Sequence, residues 1–330
     1  MNKNFFGLCA AAMVCTSNVA QSIGQQENDS TEIQQLKEVV VSDSRFELKR
    51  ENSGKTVVKI TSGESERNQG RNVAEIINRK SGIEITGSRS REGAVFGVFA
   101  RGGRGRQVLI LIDGIRVSDP SSFSSEYDMR LLSTANIESI EIIKGAASTL
   151  YGTNAATAVI NITTKKASPE KISANFLSSV GTNQDAQDQN YNISRFANSA
   201  QIGGTLGKFS YDASFSNRYA EGLSDLITTE DEKDGFSKFS TDLRLGYRFS
   251  DRLTASVYGN QTKTRTDFDE SFGFVDAPYQ YLSQQDRVGL SLAYNYGKGV
   301  LNANAAYSTF ESESKSAFPT IFKGNNYVVD

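Results

Sequence analysis

From residue 168 onward the chain alternates apolar and polar residues with a period of two, and few elements accept that period. In 239–249, Phe239, Thr241, Leu243, Leu245, Tyr247 and Phe249 fall on one face, and Ser240, Asp242, Arg244, Gly246 and Arg248 on the other. Phe209, Tyr211, Ala213 and Phe215 alternate with Ser210, Asp212, Ser214 and Ser216. Leu253, Ala255 and Val257 alternate with Thr254, Ser256, Tyr258 and Asn260. Val288, Leu290, Leu292 and Tyr294 continue the pattern, followed by Leu301, Ala303, Ala305 and Tyr307. Successive side chains of a β-strand point to opposite faces, so each stretch is a strand with one apolar side. Roughly seven strands of about ten residues result, joined alternately by tight turns and long polar loops. The tight turns are Gly207-Lys208, Ser250-Asp251 and Gly297-Lys298.

Two architectures take such strands. A soluble sandwich would fill its inner faces with Val, Ile and Leu. Here the apolar faces contain Ala, Gly and Tyr, the opposite faces carry Arg and Asp, and Tyr and Phe recur near strand ends. That is the pattern of an outer-membrane barrel, apolar toward lipid and polar toward its lumen, with short periplasmic turns and longer outer loops. Hydropathy does not argue against it. The chain is 38% hydrophobic, and no apolar run reaches the ~18 residues of a membrane helix, but barrel strands are apolar on one face only.

The N-terminus reads as an export signal over residues 1–20. Lys3 supplies the positive start, residues 5–15 the apolar stretch, and Asn18-Val19-Ala20 the small residue before a cut. Removing that segment removes both cysteines, Cys9 and Cys15. The chain also has no His and no Trp. A Ser-His-Asp triad and Cys or His metal sites are therefore excluded, no enzyme constellation is visible, and any metal would have to be held by oxygen, which favours calcium or magnesium. The net charge of −2 gives no basic footprint for nucleic acid. Arg101-Gly102-Gly103-Arg104-Gly105-Arg106 stands alone, and Gly54-Lys55-Thr56 has Lys49 where a phosphate-binding loop needs glycine.

Residues 21–44 read as a polar periplasmic linker that ends in a short β-branched run, Leu36-Lys37-Glu38-Val39-Val40-Val41-Ser42. Residues 45–167 read as a compact α/β unit. Asn72 to Lys80 is a short helix, with Val73, Ile76 and Ile77 on one face and Gly82 past its end. Val108 to Ile112 is a buried strand running into an Asp113-Gly114 turn, and Ile137 to Ile143 and Val159 to Thr164 are two more strands.

Taken in order, these segments resemble the TonB-dependent outer-membrane transporters. Glu38-Val39-Val40-Val41 resembles the TonB box. Asn72 to Ile77 followed by Ser81-Gly82-Ile83-Glu84-Ile85 resembles the entry to the plug domain. Ala100-Arg101-Gly102, Val108 to Ile115, Ile137 to Gly145, and Tyr151-Gly152 through Ile162 resemble its core. The resemblance implies a plug over 45–167 and a partial transmembrane barrel over 168–330. It further implies a monomer in outer-membrane lipid, coupled through Glu38, Val39, Val40, Val41 and Ser42 to the periplasmic protein TonB. Barrels of this family have about 22 strands, so seven or eight are expected to belong to a longer protein or a truncated product.

Within the family, Asp234-Gly235-Phe236-Ser237-Lys238, Phe249-Ser250-Asp251 and Thr264-Arg265-Thr266-Asp267-Phe268-Asp269 resemble the cobalamin-receptor branch. That branch implies import of cobalamin or a related corrinoid, with siderophore or haem import as the alternative ligands, and capture without import as an alternative of another class. It implies calcium in the outer loops on Asp225, Glu232, Asp234, Asp269 and Asp276, with Glu232 standing where the family uses Asp and Asp276 shifted. Plug positions imply ligand contacts at Val95, Gly97, Arg104, Ser122 and Phe123, with Arg104 replacing a neutral residue.

Overall fold

A computed structural model describes residues 39–40, 48–49, 52, 54–68, 71–80, 82–86, 93–94, 97–122, 125–184, 187, 192–222, 233–270 and 275–330. The expected signal segment, most of the linker, and Glu38, Val41 and Ser42 lie outside them. Strand β1 (Val39–Val40) pairs antiparallel with β2 (Leu48–Lys49), Val40 opposite Leu48.

The plug begins with β3 (Thr56–Thr61) and helix α1 (Ser62–Arg67), whose first turn is capped by the Thr61 hydroxyl accepting from the Glu64 amide. Helix α2 (Val73–Asn78) follows and buries Val73, Ala74, Ile76 and Ile77. Burying one such isoleucine contributes about 1.5–3 kcal/mol. Gly82 has φ of +79°, a conformation that strains any residue with a Cβ, and it turns the chain from α2 into β4 (Ile83–Thr86). β4 pairs with β5 (Gly97–Ala100). Next come β6 (Val108–Ile112), β7 (Ile115–Val117), β8 (Ile137–Lys144) and β9 (Ala158–Thr164). With β3 they form a mixed five-stranded sheet in the order β3-β8-β9-β6-β7, in which β6 and β9 run parallel. All five residues of β6 are buried, as expected of an interior strand covered on both faces. The β6–β7 turn has both central residues at positive φ, Asp113 at 53° and Gly114 at 80°, the geometry that an Asp-Gly pair favours.

The second sheet runs β10 (Ser173–Gly181), β11 (Arg195–Leu206), β12 (Phe209–Ala220), β13 (Phe236–Arg248), β14 (Leu253–Glu270), β15 (Val275–Asn295), β16 (Val300–Lys315) and β17 (Thr320–Val329). Every neighbouring pair is antiparallel, and the strands lie in chain order from β10 to β17 without closing. The faces are sorted opposite to a soluble protein. Phe239 is 51% exposed and Leu243 48%, whereas Ser240 is 1% and Thr262 0%. Apolar residues outside and hydroxyls inside are stable only if the outside is lipid, which settles barrel over sandwich. Aromatic pairs mark both ends: Tyr247 and Phe249 (4.9 Å) at the tight-turn end, Phe196 and Tyr219 (5.2 Å) at the other.

Two expectations need correction. The strands are longer than about ten residues: β14 has 18 and β15 has 21. Their outer connection is therefore short, residues 271–274, and β16 and β17 are joined by only 316–319. Thr264 to Asp269 consequently belong to β14 and Asp276 to β15, not to loops. The long rungs are sustained by continuous cross-strand pairing and by the plug behind them, so polarity there signals a lumen face rather than a loop.

Candidate functional site

The plug packs against the inner face of the wall, and the wall completes the plug. Phe310 of β16 is buried in the main plug core, with the Tyr127 ring edge-on at 6.4 Å. Polar contacts cross the same interface: Tyr127 donates to Gln285 Oε1 (2.8 Å), Ser121 pairs with Ser312 (2.9 Å) and Ser133 with Ser216 (2.8 Å). Lys238 of β13, buried, donates to the Leu132 carbonyl.

Two clusters fasten plug to wall at different heights. Near the tight-turn end, Arg244 Nη2 of β13 reaches Asp113 Oδ2 at 2.5 Å and Thr164 Oγ1 at 2.9 Å. Asp113 also accepts from the Thr164 amide (2.8 Å) and hydroxyl (2.7 Å). Toward the loop end, Arg130 is 1% exposed in the turn Met129–Leu131. Its Nε lies 2.9 Å from each Asp128 oxygen and its Nη2 2.5 Å from Oδ2. Burial would lower the Arg130 pKa, but the Asp128 charge and hydrogen bonds outweigh it and hold it above the ordinary value. Arg130 Nη1 donates to the Gly93 carbonyl (2.8 Å), as does Thr266 of β14 (3.1 Å), and the guanidinium lies 5.2 Å from the Tyr281 ring centre.

The expected ligand contacts divide. Val95 and Phe123 lie outside the described residues. Gly97 opens β5 opposite Thr86, where an added Cβ would fall 2.7 Å from Thr86 Oγ1. Arg104 is exposed, its amide donating to Gln107 Oε1 (2.9 Å). Ser122 sits in a turn that begins at Asp119, donating to the Asp119 carbonyl at 3.1 Å. Asp119 is buried and accepts from the Ser121 amide (2.8 Å) and hydroxyl (2.6 Å). Burial pushes its pKa up, with the Ser121 hydrogen bonds working against the rise. A cavity of about 140 Å³ lies beside these turns, lined by Gly105, Arg106, Ser118, Ser125 and Glu126 among others. The neighbours of Arg104 and Ser122 line it, and those two residues do not.

Of the expected calcium ligands, Asp225 and Glu232 lie outside the described residues. Asp234 is 5% exposed just ahead of β13, and Asp269 is 7% exposed. The β14–β15 register breaks between Phe268 and Glu270, and this bulge turns Asp269 to the inner face. Its Oδ1 accepts from the Ala277 amide (3.2 Å), while its buried Oδ2 has no partner. Asp276 is half-buried. Among the described residues, no three acidic, His or Cys side chains come close enough to hold a metal.

Sequence reasoning missed Arg130, Arg244, Arg287 and Tyr127. Each reads as an ordinary polar or aromatic residue in its own segment, and its partner is distant in sequence. The Asp113-Gly114 turn was the available signal, since an Asp at a tight turn beside a lumen-facing Arg invites pairing.

Residues 49–159 match the TonB-dependent Receptor Plug Domain family. The vitamin B12 transporter BtuB of Vibrio cholerae is 33% identical over 142 residues, 43% of this chain and 23% of that protein. BtuB of Vibrio vulnificus is 30% identical over 200 residues, 60% of this chain and 30% of that protein. BtuB of Photobacterium profundum is 23% identical over 309 residues, 93% of this chain and 46% of that protein. The chain thus spans less than half the length of these relatives. Among solved structures, the ferric enterobactin receptor PfeA of Pseudomonas aeruginosa superposes with a TM-score of 0.65 at 18% identity, over 83% of this chain and 45% of that one. The siderophore receptor PirA of Acinetobacter baumannii gives 0.63 at 17%, over 83% and 44%. At such identities these structures speak for the fold alone. Plug match, relatives, lipid-facing wall and docked plug agree: the chain belongs to the TonB-dependent receptors of the outer membrane and carries their plug domain with eight strands of their barrel wall.

Proposed function

We propose that the protein imports a corrinoid, cobalamin or a close relative, across the outer membrane, driven by TonB through residues 38–42. The observation that carries the substrate is the 33% identity to a vitamin B12 transporter over 142 residues. The short β1–β2 ladder suits the coupling role, because a two-residue pairing is easily exchanged for pairing with a partner's sheet edge. A plug fastened to the wall by hydrogen bonds and ion pairs, with limited apolar contact, suits a domain that must shift and reseat. The role is transport rather than catalysis.

Calcium belongs to the same proposal. The buried, unpartnered Asp269 Oδ2 fits an oxygen-seeking cation, with Asp234 and Asp276 and the carboxylates Asp225 and Glu232 as further donors. A bound calcium would neutralise these carboxylates and order the outer loops. Cobalamin binding to the receptor in outer-membrane vesicles, in calcium and in chelator, tests the reading. Saturable binding that tightens with calcium supports it. Absence of cobalamin binding in both conditions, with a ferric siderophore bound instead, would transfer the function to siderophore import. Equal cobalamin affinity in both would remove calcium and leave the substrate standing.

A further inference from the structure

Arg287 lies on the inner face of β15 and is 5% exposed. Its hydrogen bonds among the described residues are two long ones from Nη2, to the Ile112 carbonyl (3.5 Å) and the Tyr258 hydroxyl (3.4 Å). Its Nε has no acceptor, and no carboxylate among the described residues pairs with it. Two positions earlier on the same face, Gln285 is 1% exposed. Its Oε1 takes the Tyr127 hydroxyl, and its Nε2 has no partner. Arg287 and Gln285 line one cavity of about 70 Å³ between plug and wall.

The neighbouring groups do not balance this charge. Asp113 is taken by Arg244 and Thr164. Asp242 accepts from Asn260 and Ser214, and Asp212 from Gln201, both on the β12–β13 side of the cavity. Tyr127 cannot serve as a phenolate, because burial pushes its hydroxyl well above its ordinary pKa. The Tyr258 ring is shared: Arg244 and Arg287 each lie 5.3 Å from its centre. A buried guanidinium with an unmet N–H needs both an acceptor and a counter-charge.

We propose that the cavity holds a small inorganic anion of chloride size, hydrogen-bonded by Arg287 Nε and Gln285 Nε2. Water would satisfy the donors and leave the charge, whereas an anion supplies both. The volume admits such an ion and excludes any organic anion of ligand size. Its place makes it a removable pin between Tyr127 and Ile112 of the plug and β15 of the wall, so its occupancy stabilises plug docking by mass action.

The test uses the full receptor purified in detergent. Crystals grown in sodium bromide should give an anomalous peak at hydrogen-bond distance from both nitrogens. Hydrogen exchange of the plug strands should slow when gluconate is replaced by chloride at equal ionic strength. Gln285→Glu, which places a carboxylate beside Arg287, should fold, lose the bromide peak and show equal exchange in both salts. Arg287→Gln should also lose the salt response if it folds. A water in place of bromide, a Gln285 amide turned to accept from Arg287, or a chloride response retained in Gln285→Glu would overturn the proposal.

Discussion

Arg244 and Asp113 meet at 2.5 Å, 131 residues apart in sequence, one on the wall and the other in the tightest turn of the plug. Their side chains are 24% and 22% exposed, and Thr164 contacts both, so the pair is well ordered and partly desolvated. Asp113→Asn keeps the turn and removes the charge. It should weaken plug docking by about 1.5–3 kcal/mol, the value of hydrogen bonds to charged groups. Hydrogen exchange at β6 and β9 should accelerate accordingly, and a double-mutant cycle with Arg244→Gln should show strong coupling. Additive effects of the two substitutions would mean that the pair does no fastening.

Gly93 is the second point at which one residue sets the plug's height in the wall. Its φ is +78°, and a Cβ there would fall 2.2 Å from Phe236 Cδ2 and 2.8 Å from Thr266 Oγ1. Gly93→Ala combines left-handed strain with overpacking, each on the order of 1–3 kcal/mol. The carbonyl held by Arg130 and Thr266 would be displaced. We expect a folded receptor with ligand affinity lowered at least tenfold, measured by equilibrium binding. Unchanged affinity would show that this contact does not position the ligand side of the plug.

The wall gives a prediction of opposite sense for neighbouring residues. Leu243 faces outward and is 48% exposed, while Asp242 faces the lumen and accepts from Asn260 and Ser214. Leu243→Arg should cost ~2–4 kcal/mol, the penalty for an arginine on the lipid face near the midplane. Asp242→Asn should be far milder, since an amide can keep those hydrogen bonds. Folding into lipid vesicles, titrated with urea, separates the two. Equal tolerance at both positions would contradict the assignment of faces.

How much of this could be read from sequence follows from which forces are local. The alternation in 239–249 was legible because lipid on one side and the plug on the other impose opposite chemistry on successive residues. The plug strand Val108–Ile112 and its Asp-Gly turn were legible because burial on both faces and positive φ each demand particular residue types. Arg130, Arg244 and Arg287 were not, because a lumen-facing arginine in a strand looks the same whether it meets water or a plug. Asp269 was misplaced in a loop for a different reason. The bulge that turns it inward carries no Gly or Pro, so only the register with β15 reveals it.

The coupling segment allows the sharpest separation of binding from transport. Val40 lies opposite Leu48 in the β1–β2 ladder. Val40→Pro removes the amide donor and fixes φ near −65°, which is incompatible with interior strand pairing in this ladder or with a partner's sheet. Equilibrium binding, set by the plug and the outer ends of the wall far along the chain, should remain at wild-type level. Energised uptake into cells should fall to the level of a strain without TonB. Val40→Thr, which keeps the donor and the β-branch, should restore it. Loss of both binding and uptake would indicate misfolding, whereas uptake retained with proline at this position would place the coupling segment elsewhere in the chain.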